Sequence, residues 1–182
     1  MSKLNETDAK SKKPIMIYGS SSSFGKTRDV LEEFCNDSIP LIDLNSLDIT
    51  PFDYEHKNKD DDFMPLIEKV IKQHDPIILA TPVYWYTMSA TMKIFIDRIS
   101  DLWDLKKELL DELRGKSLFV IASYGGSYPK GFEYPFKQTC DYLGINYLGC
   151  SFIYTGNDSE LIKSNVDEQL KISEVLGLIE QK

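Results

Sequence analysis

A chain of 182 residues with 42% apolar and 27% charged residues has the make-up of one ordinary globular domain with a sizeable core. Its formal net charge of −8 disfavours nucleic acid and anionic membrane surfaces as partners, so an anionic ligand must be held by local donors. The longest uncharged stretch, Pro76 to Met92, is interrupted by Pro82 and by polar residues, which argues against a membrane span.

Met1 to Lys13 is polar and Lys-rich and lacks the apolar centre of a signal peptide. It is expected to be a disordered leader to a single domain over residues 14–182. Pro14 to Tyr18 predicts a first strand, and Lys26 to Asn36, with Val30, Leu31 and Phe34, an amphipathic helix. Ile39 to Leu44 predicts a second strand and residues 45–61 a polar loop. Asp62 to His74 has helical spacing through Phe63, Leu66, Ile67, Val70 and Ile71, and Asp75-Pro76 stops it. Ile77 to Ala80 predicts a third strand, apolar throughout as suits burial on both faces.

Thr81 to Thr87 follows as a loop. A long helix is expected from Ser89 to Trp103, continuing irregularly to Leu113. Ser117 to Ser123 predicts the fourth strand, Phe132 to Leu143 a helix ended by Gly144, Ile145 to Tyr154 the fifth strand, and Glu160 to Gln181 the last helix. Strand and helix thus alternate five times, which implies an α/β fold: a parallel sheet with right-handed crossovers and helices on both faces. With strand order 2-1-3-4-5, the loops after strands one, three and four meet at one crevice at the carboxyl ends of the strands.

Those three loops hold the candidate chemistry. Gly19-Ser-Ser-Ser-Ser-Phe-Gly-Lys-Thr27 leads from a strand into a helix and is free of acidic residues. Backbone amides, hydroxyls and the Lys26 ammonium there suit a phosphate monoester. Five residues separate Gly19 from Gly25, which excludes a Walker A motif, and the glycine spacing excludes G-x-G-x-x-G. By itself the loop is equally a Ser-rich helix cap. Pro82, Val83, Tyr84, Trp85 and Tyr86 offer flat apolar surface to a planar heteroaromatic ring, against the alternative of core or subunit-interface packing, which is preferred for Tyr86 and Trp103. In Ser123-Tyr-Gly-Gly-Ser127 the paired glycines permit close backbone approach, although by itself a plain turn before a helix is the better explanation.

Three patterns together resemble a known family: Gly19-Ser20-x-Ser22-x-x-Gly25-Lys26-Thr27, then Thr81-Pro-Val-Tyr-Trp-Tyr-x-Met-Ser89, then Lys93-x-x-x-Asp97-Arg98. They are similar to the NADPH-dependent FMN reductases of the flavodoxin-like superfamily, a likeness that extends over nearly all of residues 14–182. The resemblance implies non-covalent FMN, reduction by NADPH or NADH, a small-molecule electron acceptor such as a quinone, nitro or azo compound, and a homodimer. Carried over by position, Ser20, Ser22, Gly25, Lys26 and Thr27 would hold the phosphate. Pro82, Val83, Tyr84, Trp85, Ser123, Tyr124, Gly125 and Gly126 would line the ring. The family usually carries Arg at the position of Ser22 and Asn at that of Lys26, so the loop's cation has moved. No side-chain nucleophile and no metal is implied, because the chemistry belongs to the cofactor.

Two rival classes remain. An FMN electron carrier of flavodoxin type, without pyridine-nucleotide activity, would suit the acidic surface. A cofactor-free receiver domain would need a phosphoacceptor Asp after the third strand, where Thr81-Pro82 stands. His56 and His74 are expected to be exposed or capping, and Asp60-Asp61-Asp62 to cap a helix. Asp97-Arg98 is expected to form a structural pair beside a subunit interface. Cys35, Cys140 and Cys150 have no C-x-x-C or Cys/His spacing and are expected to be buried thiols in a reducing, cytoplasmic setting.

Overall fold

The computed structural model describes residues 12–177. Five parallel strands, β1 (Lys13–Tyr18), β2 (Leu41–Asp43), β3 (His74–Pro82), β4 (Ser117–Tyr124) and β5 (Asn146–Tyr154), form one sheet in the order β2-β1-β3-β4-β5. The expected order is therefore the observed one. Residues 1–11 of the expected leader lie outside the described residues, and Lys13 already pairs with His74 in the sheet.

Alternation along the strands sorts the core into two layers. Ile15, Ile17, Ile77, Leu79, Leu118, Val120 and Ala122 face one way, against α2 (Phe63–Gln73), α3 (Ala90–Asp97), α5 (Lys107–Leu113) and α6 (Tyr134–Leu143). Met16, Tyr18, Ile78, Ala80, Phe119 and Ile121 face the other, against α1 (Lys26–Glu32) and α7 (Ser159–Val175). The periodic residues Phe63, Leu66, Ile67, Val70 and Ile71 all turn inward, as their spacing predicts.

The structure corrects several boundaries. β3 begins at His74, where a helix stop was expected, and runs on to Pro82, so Thr81 and Pro82 pair with Ala122 and Ser123 of β4. The expected long helix is broken into α3, a 3-10 turn at Arg98–Ser100, α4 (Asp101–Leu105) and α5, with Lys106 outside helical geometry at φ −150° and ψ 60°. The first break coincides with Arg98 turning inward to full burial. β5 carries an irregularity of register opposite Leu118 and Phe119, beside Gly149. The last helix ends at Val175; residues 178–181 of its expected extent lie outside the described residues.

The buried Arg98 also corrects three side-chain expectations. Its guanidinium does not pair with Asp97, which bonds Lys93 instead; it is held by Asp61 and by Asp101 at 2.5 Å, and by the carbonyls of Thr50 and Asn58. Burial works against the charge of Asp61, yet Arg98 and the amides of Phe63 and Thr50 hold its carboxyl below the usual range. Of Asp60-Asp61-Asp62, it is Asp61 that serves the start of α2, accepting from the Phe63 amide at 3.0 Å, while Asp62 accepts from the Asp48 amide at 2.7 Å. His56 is mostly covered and has partners: Nδ1 lies 3.0 Å from Asp101 and Nε2 3.3 Å from Asp104. The long 45–61 loop is thus pinned to the α3–α4 corner. Among the cysteines, Cys140 is buried, while Cys35 and Cys150 are half-buried thiols rather than full core members.

Candidate functional site

The carboxyl ends of β1, β3 and β4 open onto two adjoining cavities of about 220 and 180 Å³ that share Val83, Tyr124 and Gly125. Ser20, Ser22, Gly25, Lys26, Thr27, Pro82, Tyr84 and Ser123 line the first; Trp85 and Gly126 complete the second. Every residue nominated from sequence therefore lies in one crevice, built from loops that the strand order brings together. Among the described residues no Asp or Glu lines either cavity, in a chain of net charge −8.

The first loop owes its position to two close packings. Gly19 follows β1 beneath α3, where a Cβ would lie 3.0 Å from the Met92 backbone, so a larger residue would push the loop off the helix. Gly25 sits at φ 130°, a conformation open to glycine, and starts α1 with no side-chain cap, which leaves the first helical amides to the crevice. Lys26 Nζ reaches across the cavity and donates to the carbonyl of Thr155 at 2.5 Å. Thr27 and Ser123 share a buried hydroxyl–hydroxyl bond of 2.5 Å that ties the start of α1 to the end of β4.

The second loop is a tight turn. Tyr84 and Thr87 exchange backbone hydrogen bonds of 2.9 and 3.1 Å around Trp85 and Tyr86, whose φ angles are 50° and 66°. Positive φ at both central residues is the pattern of a type I′ turn, which glycine and asparagine ordinarily supply. Two large aromatics in those positions stand at the rim of the second cavity, Trp85 at 94% exposure. Tyr86 is thus a rim residue here and not core. Tyr84 points back toward the first loop, its hydroxyl 2.8 Å from Ser21 Oγ. Hydrogen bonds from Ser21 and then Ser20 hold the Tyr84 phenol below its usual pKa, whereas burial pushes Tyr18 and Tyr124 up.

In the third loop the fold itself does not require glycine. A Cβ at Gly125 would meet nothing nearer than 3.9 Å, and one at Gly126 would enter open space. The room in front of this backbone belongs to the crevice.

Sequence reasoning missed Tyr18, Phe24 and Thr155 in the first cavity and Ser127 in the second. Tyr18 was assigned only to a strand, yet its hydroxyl donates to the Ser22 carbonyl at 2.9 Å, a consequence of lying last in β1. Thr155 arrives from the end of β5, through bonds from its amide and hydroxyl to the Tyr124 carbonyl at 2.7 and 3.3 Å. A signal was available there: in a parallel sheet the loop after β5 abuts that after β4.

A doubly wound sheet of this order, with its crevice at the switch point between β1 and β3, defines a flavodoxin-like protein. The chain belongs to the NADPH-dependent FMN reductase family, whose model matches residues 13–159. It is 37% identical over 94 residues to YwqN of Bacillus subtilis (strain 168), whose name describes an NAD(P)H-dependent FMN-containing oxidoreductase. That match covers 50% of this chain and 50% of YwqN, so the chain spans about half the length of the curated relative it matches. Among solved structures it resembles the Trp repressor binding protein of B. subtilis, with 25% identity and a TM-score of 0.66 over 93% of this chain and all of that one. The general stress protein 14 of Treponema denticola shares the fold at 15% identity, with a TM-score of 0.62 over 90% of this chain and 99% of that one.

Proposed function

We propose that the protein is an FMN-dependent NAD(P)H oxidoreductase that passes hydride from NADPH or NADH to a small acceptor of the quinone, nitro or azo type. The observation that carries this reading is the division of labour across the crevice. One end is rich in donors and, among the described residues, free of carboxylates; the other is aromatic and glycine-backed. A phosphorylated flat ring needs both at once, and this donor set fits it. Membership of the reductase family supports the same reading.

Bound FMN would supply the two-electron chemistry, and the protein placement, electrostatics and exclusion of water. In this reading Lys26 exchanges the Thr155 carbonyl for phosphate, and Ser20, Ser22 and Thr27 belong to the phosphate end. Pro82, Val83 and Tyr84 flank the ring, with Trp85 and Tyr86 shielding its open side. The Ser123–Gly126 backbone serves the ring's polar edge with N–H donors aimed where negative charge develops. A homodimer is read from the family; the exposed pair Trp103 and Tyr142, with ring centroids 6.2 Å apart, provides an apolar face for it. A cytoplasmic setting is read from the three thiols. Among the described residues no helix is long and apolar enough to cross a membrane.

Purified protein is expected to be yellow, to regain colour after stripping with FMN but not FAD, and to oxidise NADPH when a quinone or ferricyanide is present. The second reading, an FMN electron carrier, is favoured by the acidic surface, which suits docking to basic partners. FMN-loaded protein that leaves NADPH and NADH untouched while exchanging electrons with a basic partner would establish the carrier and overturn the enzyme.

A further inference from the structure

The Gly19–Gly25 loop is held from behind. Ser89 Oγ donates to the Gly19 carbonyl at 2.7 Å. Asn45 Nδ2 and Thr91 Oγ1 both donate to the Ser20 carbonyl at 2.9 Å, filling the two lone pairs of that oxygen. These donors come from three places: the turn after β2, the residue that caps α3, and the first turn of α3.

In a trans peptide the C=O and the following N–H point in opposite directions. Drawing the Gly19 and Ser20 oxygens toward α3 therefore turns the amides of Ser20 and Ser21 the other way. The two sides of the loop differ accordingly. Asn45 and Thr91 border an apolar crevice of about 200 Å³ with Leu44, Leu47, Ile49, Ile94 and Phe95. The polar cavity, with Ser20, Ser22 and Lys26, contains neither of them. Among the described residues, the Ser20 amide donates to no protein acceptor, and the Ser21 amide faces the Tyr84 hydroxyl, which lines the polar cavity. These two amides, each opposite a carbonyl that is tied back, are turned to the side from which an anion would approach. Tying back the carbonyls also removes the partial negative charge that would face a phosphate.

We infer that Asn45 and Thr91 are positioning residues for the Ser20 and Ser21 amides: they touch no ligand, but by clamping the Ser20 carbonyl they make the loop select a phosphorylated flavin over its unphosphorylated counterpart. The inference rests on the placement of the FMN phosphate on this loop. Ser89 shares the task but also caps α3 by accepting from the Met92 amide, so it is a poor probe. Asn45 is exposed and Thr91 half-buried, and both tolerate truncation better.

The test compares FMN with riboflavin on stripped protein, by flavin fluorescence quenching. Thr91→Val and Asn45→Ala are each expected to weaken FMN binding about three- to tenfold, the worth of one hydrogen bond, with riboflavin affinity unchanged within about twofold. The double variant should lose more than the product of the singles, because either donor alone still holds the carbonyl. Thr91→Ser, which keeps the hydroxyl, should bind FMN as wild type does. Inorganic phosphate added to the stripped wild type should shift the amide NMR resonances of Ser20 and Ser21. A double variant that keeps the wild-type preference for FMN would overturn the inference while leaving the phosphate placement intact. So would equal losses for both flavins, or resonances of Ser20 and Ser21 that ignore phosphate. A wild type that binds riboflavin as tightly as FMN would instead remove the phosphate placement, and the inference with it.

Discussion

Arg98 and Lys26 are two cations in an acidic chain with opposite fates. Arg98 is wholly buried and spends its charge on Asp61 and Asp101, fixing the 45–61 loop to the α3–α4 corner, with its guanidinium carbon 4.8 Å from the Phe63 ring centroid. Lys26 is exposed and, among the described residues, bonds only the neutral carbonyl of Thr155. A cation already matched by two carboxylates has nothing left for a ligand. One resting on a single carbonyl can exchange that partner for an anion at small cost, since one neutral acceptor is replaced by a charged one. The difference separates a charge consumed by the fold from one still available to a ligand more clearly than burial alone.

The comparison breaks most visibly at Arg98. Arg98→Met leaves two carboxylates buried without a cation and is expected to cost about 3–5 kcal/mol of stability, read by urea denaturation. Lys26→Met should do the reverse. Stability should hold within about 0.5 kcal/mol, as for an exposed site, while FMN affinity falls about 10- to 100-fold, the worth of a hydrogen bond to a charged group. Loss of stability at Lys26 equal to that at Arg98 would erase the distinction.

A third cation sharpens it. Lys116 is buried, donates to the His74 carbonyl at 2.8 Å, and has its pKa pushed down to about 8 by burial and by the nearby Lys12. A lysine whose folded pKa lies below its unfolded value of about 10.4 penalises folding while both states are charged; the penalty fades as pH rises past the folded value. Stability should therefore increase between about pH 8 and pH 10.5, on the order of 1–2 kcal/mol, and Lys116→Met should flatten that rise. Paired melts of wild type and variant across this range isolate it from other titrations.

Much of the fold was legible because apolar runs and helical spacing are local signals. Ile77 to Ala80 reads as a buried strand, and Ser123-Tyr-Gly-Gly as a loop after another, before any coordinates exist. Strand order then places the three loops together. What escaped was non-local. Arg98 meets Asp61 across 37 positions, and nothing near either residue announces it, so Asp97 looked like the partner and the helix looked continuous. Thr155 enters the crevice through its neighbour strand rather than through a motif of its own. The clamp on Ser20 combines Asn45 and Thr91, 25 and 71 positions away, neither in a glycine- or serine-rich context.

Trp85 and Tyr86 occupy the two left-handed positions of their turn, where bulky side chains sit under backbone strain. Anyone engineering this protein for heat resistance would find glycine at either site the obvious substitution, worth on the order of 1 kcal/mol by relief of strain. The same exchange would strip an aromatic from the mouth of the crevice. Thermal hardening and an aromatic rim compete here for the same two codons.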